Sequence, residues 1–247
     1  MATDAMRPQT IARTRPANPV SDRLFFSAMI VALWATVLFG FAKTYFMAGM
    51  VRAPLPNALI HIHGAAFTLW MVLLVVQEAF VSGRKIKWHM QLGLFGFGLA
   101  VTMVILGLLA ATDALRRGAA PLGLDAKTFY IVPISAICMF AVLMYFAWQT
   151  RRSPSTHKRL ILIATIDLVG AAIGRWPVAL LQRIPPLQNA VTLAFLLLLV
   201  AYDLFSQRRI QKSTLWAGVA LMVMQLIRVP IGFTPAWHAF ATFMGGR

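Results

Sequence analysis

The chain alternates apolar blocks of about 15 to 22 residues with short, mostly basic connections. A helix needs about 20 apolar residues to cross the hydrocarbon core of a bilayer. Several such blocks cannot all be buried in one soluble core built from 247 residues. The chain is 60% hydrophobic and only 12% charged, about half the charged fraction of a soluble domain. The pattern predicts an all-α, polytopic membrane helix bundle of about seven transmembrane helices. They fall near residues 24–45, 57–81, 88–114, 127–150, a fifth from about Thr156, then 187–205 and 214–233. Residues 24–247 form the bundle.

Residues 1–23 are polar, with Pro8, Pro16 and Pro19. They are expected to form a basic, poorly ordered cytoplasmic tail, and they lack the short apolar core of a cleaved signal peptide. Ser21 and Asp22 suit the start of the first helix as cap and negative charge.

The net charge of +16 is where topology would put it, between the apolar blocks, so nucleic acid is set aside as a partner. Compact basic clusters (Arg84-Lys85-Lys87, Arg151-Arg152 with Lys158-Arg159, Arg208-Arg209 with Lys212) mark all three loops on one side. The positive-inside tendency makes that side, and the N-terminus, cytoplasmic. The expected location is the bacterial inner (plasma) membrane, with the lipid bilayer as the main partner. Cys138 is the only cysteine, which excludes an internal disulfide and a cysteine metal cluster; it is expected to be a small buried apolar residue. The offsets Arg84–His89, Arg152–His157 and Arg209–Thr214 are equal, a weak sign of three related helix hairpins.

The histidines lie near helix ends. His89 and His157 open the third and fifth helices at the cytoplasmic level and could share a porphyrin or metal if those helices face one another. Lys85, Lys158 and Arg159 are then candidates for the propionates. The competing reading makes both histidines interfacial anchors. His63 lies on the outer side, about 27 Å from the cytoplasmic end of its helix at 1.5 Å per residue, so it cannot join them. His61-x-His63 could chelate only ahead of the helix, and His238 is a distant candidate to meet His63.

Asp167 lies about mid-membrane in the fifth helix, where a charge is costly and usually has a partner or a polar cavity. Arg175 and Arg228 are the nearest cationic candidates. Gln77 and Glu78 sit close enough to a helix end to snorkel. Retinal lacks its deep lysine, and no phosphate loop, HExxH helix or nucleophile elbow occurs. Gly93-x-x-Gly96-x-Gly98 reads as close helix packing. No residue is assigned a catalytic role.

His63-Gly64 with Phe67, Trp70 and Gln77, then His89-x-x-Leu92-Gly93 and His157-Lys158-Arg159-Leu160, resemble an uncharacterised family of bacterial multi-pass membrane proteins. Thr214-Leu215-Trp216 and Thr234-Pro235-Ala236-Trp237 belong to the same resemblance. More distantly, the spacing is similar to the cytochrome b561 type of membrane electron carrier. That likeness implies haem b on His89 and His157, with a quinone or a partner enzyme exchanging electrons. Its second haem would need a histidine where this chain has Tyr130. Three functional readings follow: a haem- or metal-binding redox protein, an accessory subunit of a larger membrane protein complex, and a small-solute or proton transporter using Asp167 and Arg228.

Overall fold

The computed structural model describes residues 19–47, 57–121 and 123–246, with the side chains of Pro19, Gln182, Pro185 and Pro186 left out. Every regular element among them is a helix: α1 Pro19–Phe41, α2 Ala58–Ser82, α3 Ile86–Arg116, α4 Ala126–Gln149, α5 Pro154–Leu168, α6 Gly170–Ile173, α7 Ala179–Arg183, α8 Pro185–Gln207, α9 Lys212–Gly232 and α10 Pro235–Gly245. A π-helical turn, Ala42–Phe46, extends α1. Only helices and closed barrels satisfy their backbone groups in lipid. Six of the helices are long and apolar enough to cross a membrane. Their perimeter carries exposed Leu24, Val31, Phe95, Val101, Leu198 and Leu226, a surface that suits lipid tails. Cys138 is exposed on this perimeter rather than buried, because it lies on the face of α4 away from the core residues Ile137 and Phe140.

The helix ends follow local chemistry. Asn57 caps α2 by accepting from the Ile60 amide at 3.0 Å. Asp125 caps α4 by accepting from the Lys127 and Thr128 amides. Those donors and the Thr128 hydroxyl hold the Asp125 carboxyl below the usual carboxylate range. The turns leading into α3 and α9 each place an arginine, Arg84 and Arg208, in the left-handed region at φ 59°. The expected tail lies outside the described residues up to position 18; from Pro19 onward the chain is already α1. Asp22 therefore sits inside the first turn, where its carboxylate binds Lys158 and accepts from the Tyr202 hydroxyl.

α2, α3, α4 and α5 pack in sequence as neighbours, and α9 closes against α4 and α5. α4 is the central member, flanked by α3, α5, α9 and α10. The fifth apolar block does not make one long helix. α5 has 15 residues, about 22 Å, and breaks at Val169 before the single turn of α6. Even so, the broken helix runs through the bundle. Arg159, near its start, meets Asp203 near the end of α8, and Ala172 of α6 touches Gly40 in the last turn of α1.

The Arg159–Asp203 contact is fully buried on both sides. Arg159 donates to Asp203 from Nε at 3.0 Å and from Nη2 at 2.5 Å, and to the Ser155 carbonyl at 2.9 Å. Asp203 also accepts from the Thr214 hydroxyl at 2.6 Å and the Gln211 amide at 3.1 Å. The carboxylate thus ties α5, α8 and the start of α9 together. Removing one member of such a pair strands the other charge, a loss of about 3–5 kcal/mol. Asp203→Ala is therefore expected to lower the thermal midpoint of the detergent-solubilised protein sharply. Arg159→Met with Asp203→Leu should recover most of the loss. Equal midpoints for wild type and Asp203→Ala would remove the tie from its structural role.

Candidate functional site

The end of the bundle opposite the start of α1 is hollow. A cavity of about 700 Å³ is walled by α2, α3 and α4 on one flank and by α1, α5, α6, α8 and α9 on the other. This volume falls in the range of small-molecule sites. Tyr45, Asn57 and Arg117 line its outer end, and Trp70 and Thr165 line its inner end. Trp70 donates from Nε1 to the Thr165 hydroxyl at 3.2 Å and stands edge-on to Phe140 at 5.5 Å. Beyond them Phe140, Leu143, Leu160 and Ile163 are fully buried, so the hollow ends at the Trp70–Thr165 contact.

Small residues make the space. Gly107, Ala110, Ala111 and Ala114 form the α3 wall. Pro133 lies inside α4 and withdraws one backbone donor from the helix beside the cavity. The helix break sits against α1 without room for a side chain: a Cβ on Gly40 would lie 2.2 Å from the Ala172 carbonyl oxygen. Trp176 pins the next segment by donating to the Thr36 carbonyl at 3.3 Å.

Asp167, Arg175 and Arg228, grouped in the sequence, and His63, considered apart from them, all line this one cavity. Asp167 is buried, and neither carboxylate oxygen has a hydrogen-bond partner. The expected tie to an arginine is not formed: none of the ion pairs among the described residues involves Asp167, Arg175 or Arg228. Arg228 is nevertheless near enough to act on Asp167 through its charge. It donates from Nη2 to the Asn189 side-chain oxygen at 2.9 Å, while its Nε is buried without a partner. Arg175, exposed at the open side, donates to the Ala171 carbonyl at 2.6 Å and lies over the Phe41 ring at 4.9 Å. The His63 ring packs on Phe67 at 4.2 Å, and its Nδ1 is buried and unpaired.

The other histidines fall elsewhere. His61 and His63 both lie within α2, so they point to different faces and do not chelate. His238, on α10, pairs with the Thr128 hydroxyl at 3.0 Å rather than with His63. Tyr130, also at this end, pairs with the Thr112 hydroxyl at 3.0 Å. His89 and His157 sit at the opposite end, close enough for a charge on one to reach the other. His157 Nδ1 pairs with the Ala147 carbonyl at 2.9 Å, and His89 Nδ1 is buried without a partner. α4 packs against both α3 and α5, which share no extended contact. Arg159 and Lys158, expected to be open to propionates, are engaged by Asp203 and Asp22. No group of three or more metal-ligating side chains occurs among the described residues. No protein-family model, curated protein or solved structure matches the chain.

Sequence reasoning passed over Asp203, an acid in an apolar block as conspicuous as Asp167, and the polar wall formed by Gln188, Asn189, Thr192 and Gln225. Each is one polar residue among apolar neighbours, a signal strong enough to have drawn notice. The contact at Gly40 generates a direct test. Gly40→Ala forces α6 away from α1, which in a packed core costs about 1–3 kcal/mol. The expected result is a lower thermal midpoint with the helical circular dichroism retained. An unchanged midpoint would mean that α6 is not held at this contact.

Proposed function

We propose that this chain is a seven-pass membrane protein, with its N-terminus in the cytoplasm, that binds a small solute in the cavity and moves it together with a proton carried by Asp167. The observation that carries the proposal is the buried, unpaired carboxyl of Asp167 facing a one-ended cavity. A buried carboxyl without donors is costly to keep, and a proton or a ligand offsets that cost. The break at Val169 supports the same reading. Transport proteins commonly place their sites at interrupted helices near the middle of the bilayer. A hollow that ends at Trp70 and Thr165 is what one state of an alternating-access cycle requires. With the basic loops in the cytoplasm, the cavity faces outward.

The test has two parts. In sealed vesicles, a membrane-impermeant maleimide should label Ala110→Cys, in a Cys138→Ser background, from the face opposite the N-terminus. Labelling only from the N-terminal face would overturn the orientation. In proteoliposomes loaded with a pH dye, solutes that drive proton entry through the wild type should drive none through Asp167→Asn. Undiminished proton entry in a variant with a normal thermal midpoint would remove Asp167 from the function.

A second reading keeps His89 and His157 as ligands of haem b. It is favoured by the His157–Ala147 hydrogen bond, which fixes one ring nitrogen and leaves Nε2 for a metal, the usual arrangement of a ligating imidazole. The unpaired Nδ1 of His89 offers a second donor at the same end. Bound there, a haem would supply one-electron chemistry; the chain's own part would be to orient the two rings. The separation of α3 and α5 by α4, and the engagement of Arg159 and Lys158 elsewhere, make the fit incomplete. Protein expressed with haem supplied should then show sharp reduced α and β absorption bands, lost in His89→Ala and in His157→Ala. Colourless protein, or bands that survive both substitutions, would end this reading.

A further inference from the structure

We propose that the solute is an organic monoanion, a carboxylate on an apolar body, and that it binds as a neutral pair with one proton taken up by Asp167. This inference rests on reading the cavity as a solute site and names the chemistry that the site selects.

The cationic groups are uncommitted. Arg228 spends one nitrogen on the neutral Asn189 and has an unpaired Nε. Among the described residues, Arg175 is satisfied by a backbone carbonyl and an aromatic face. A guanidinium is always charged, and its planar fork matches a carboxylate. Two such groups facing one cavity select against a cation.

The remaining ionisable lining groups narrow the charge balance further. α2 contributes His63; the rim contributes Tyr45 and Arg117, and Arg117 is held by Asp113 at 2.8 Å. α4 and α8 contribute no titratable side chain to the wall, and α6 none before Arg175. Arg175 stands at the mouth, exposed to solvent, so in the buried part of the cavity an ionised Asp167 is balanced by Arg228 alone. An anion arriving on Arg228 would set two negative charges against that one guanidinium in a low-dielectric space. A proton from the outer solution, placed on an Asp167 oxygen, restores the balance and gives the carboxylate an O–H donor. One O–H bond forms, on Asp167, with its proton given up by an acid of the outer solution; no bond of the solute breaks. Phe41, Phe67, Trp70, Met71, Val132 and Ile137 line the rest and fit an apolar body.

The probes are matched sets of equal shape: 2-naphthoate, 2-naphthamide and 2-naphthylmethylamine, with benzoate, benzamide and benzylamine beside them. Binding to the full chain in neutral detergent is read by calorimetry in two buffers of different ionisation enthalpy. A carboxylate is expected to bind with about one proton taken up, and to weaken about tenfold per pH unit where free Asp167 is ionised. Asp167→Asn, which resembles the protonated side chain, should still bind the carboxylate but without the pH dependence. Arg228→Gln should lose about tenfold or more in carboxylate affinity while keeping the amide. Arg175→Gln, at the exposed mouth, should shift the same preference in the same direction. Preference for the amine, carboxylate binding without proton uptake, or pH dependence that survives in Asp167→Asn would each overturn the inference. Binding of amide without carboxylate would overturn it and leave the solute cavity standing. Failure of all six probes, with the protein's midpoint normal, would count against both.

Discussion

A carboxylate with nowhere else to go organises one end of this bundle. Asp203 accepts from Arg159, Thr214 and the Gln211 amide, so three helices are held by a single fully buried group. In a medium where helices gain little from hiding apolar surface from one another, packing and hydrogen bonds hold them together. The tie at the N-terminal end thus sets the spacing of α5, α8 and α9. At the other end the same helices are lined with polar side chains that meet no partner of opposite charge, and there the cavity lies. The molecule is closed by ionic contact at one end and hollow at the other. That asymmetry is the main physical fact about it.

Much of this was legible in the sequence. Apolar block length gave the helices; the one cap read from the sequence, Ser21 and Asp22, fell inside the first turn of α1, which starts at Pro19. The discomfort of the fifth block, with Asp167, Arg175 and Pro177, corresponds to a helix that breaks at Val169. The sequence also grouped Asp167 with Arg175 and Arg228, but it did not bring His63 to them. Periodicity places a residue on a helix and gives its depth; it does not say which helices are neighbours. For the same reason Arg159 looked like a surface cation: its neighbours Arg151, Arg152 and Lys158 are loop-like, and only the approach of α8 turns it inward. His238 looked like a candidate for His63 because both lie at one level, yet α10 packs on α4 and brings it to Thr128.

The two ends offer different chemistry because their charges are committed differently. His89 and His157 are near each other, with Lys158 and Arg159 already engaged by Asp22 and Asp203. Asp167 and Arg228 are near each other without touching, and both keep unpaired atoms. A committed pair holds a shape. An uncommitted pair stores unfavourable desolvation that a visitor can relieve, and this is why the cavity, rather than the histidine end, is the stronger candidate for a working site.

The placement of Cys138 on the lipid-facing side of α4 has its own outcome. Thiols react through the thiolate, and hydrocarbon gives that anion no solvation. The chain's single sulfhydryl is therefore shielded from water-borne oxidants and electrophiles by the bilayer itself. With one cysteine, an oxidising compartment cannot form a disulfide within the chain either.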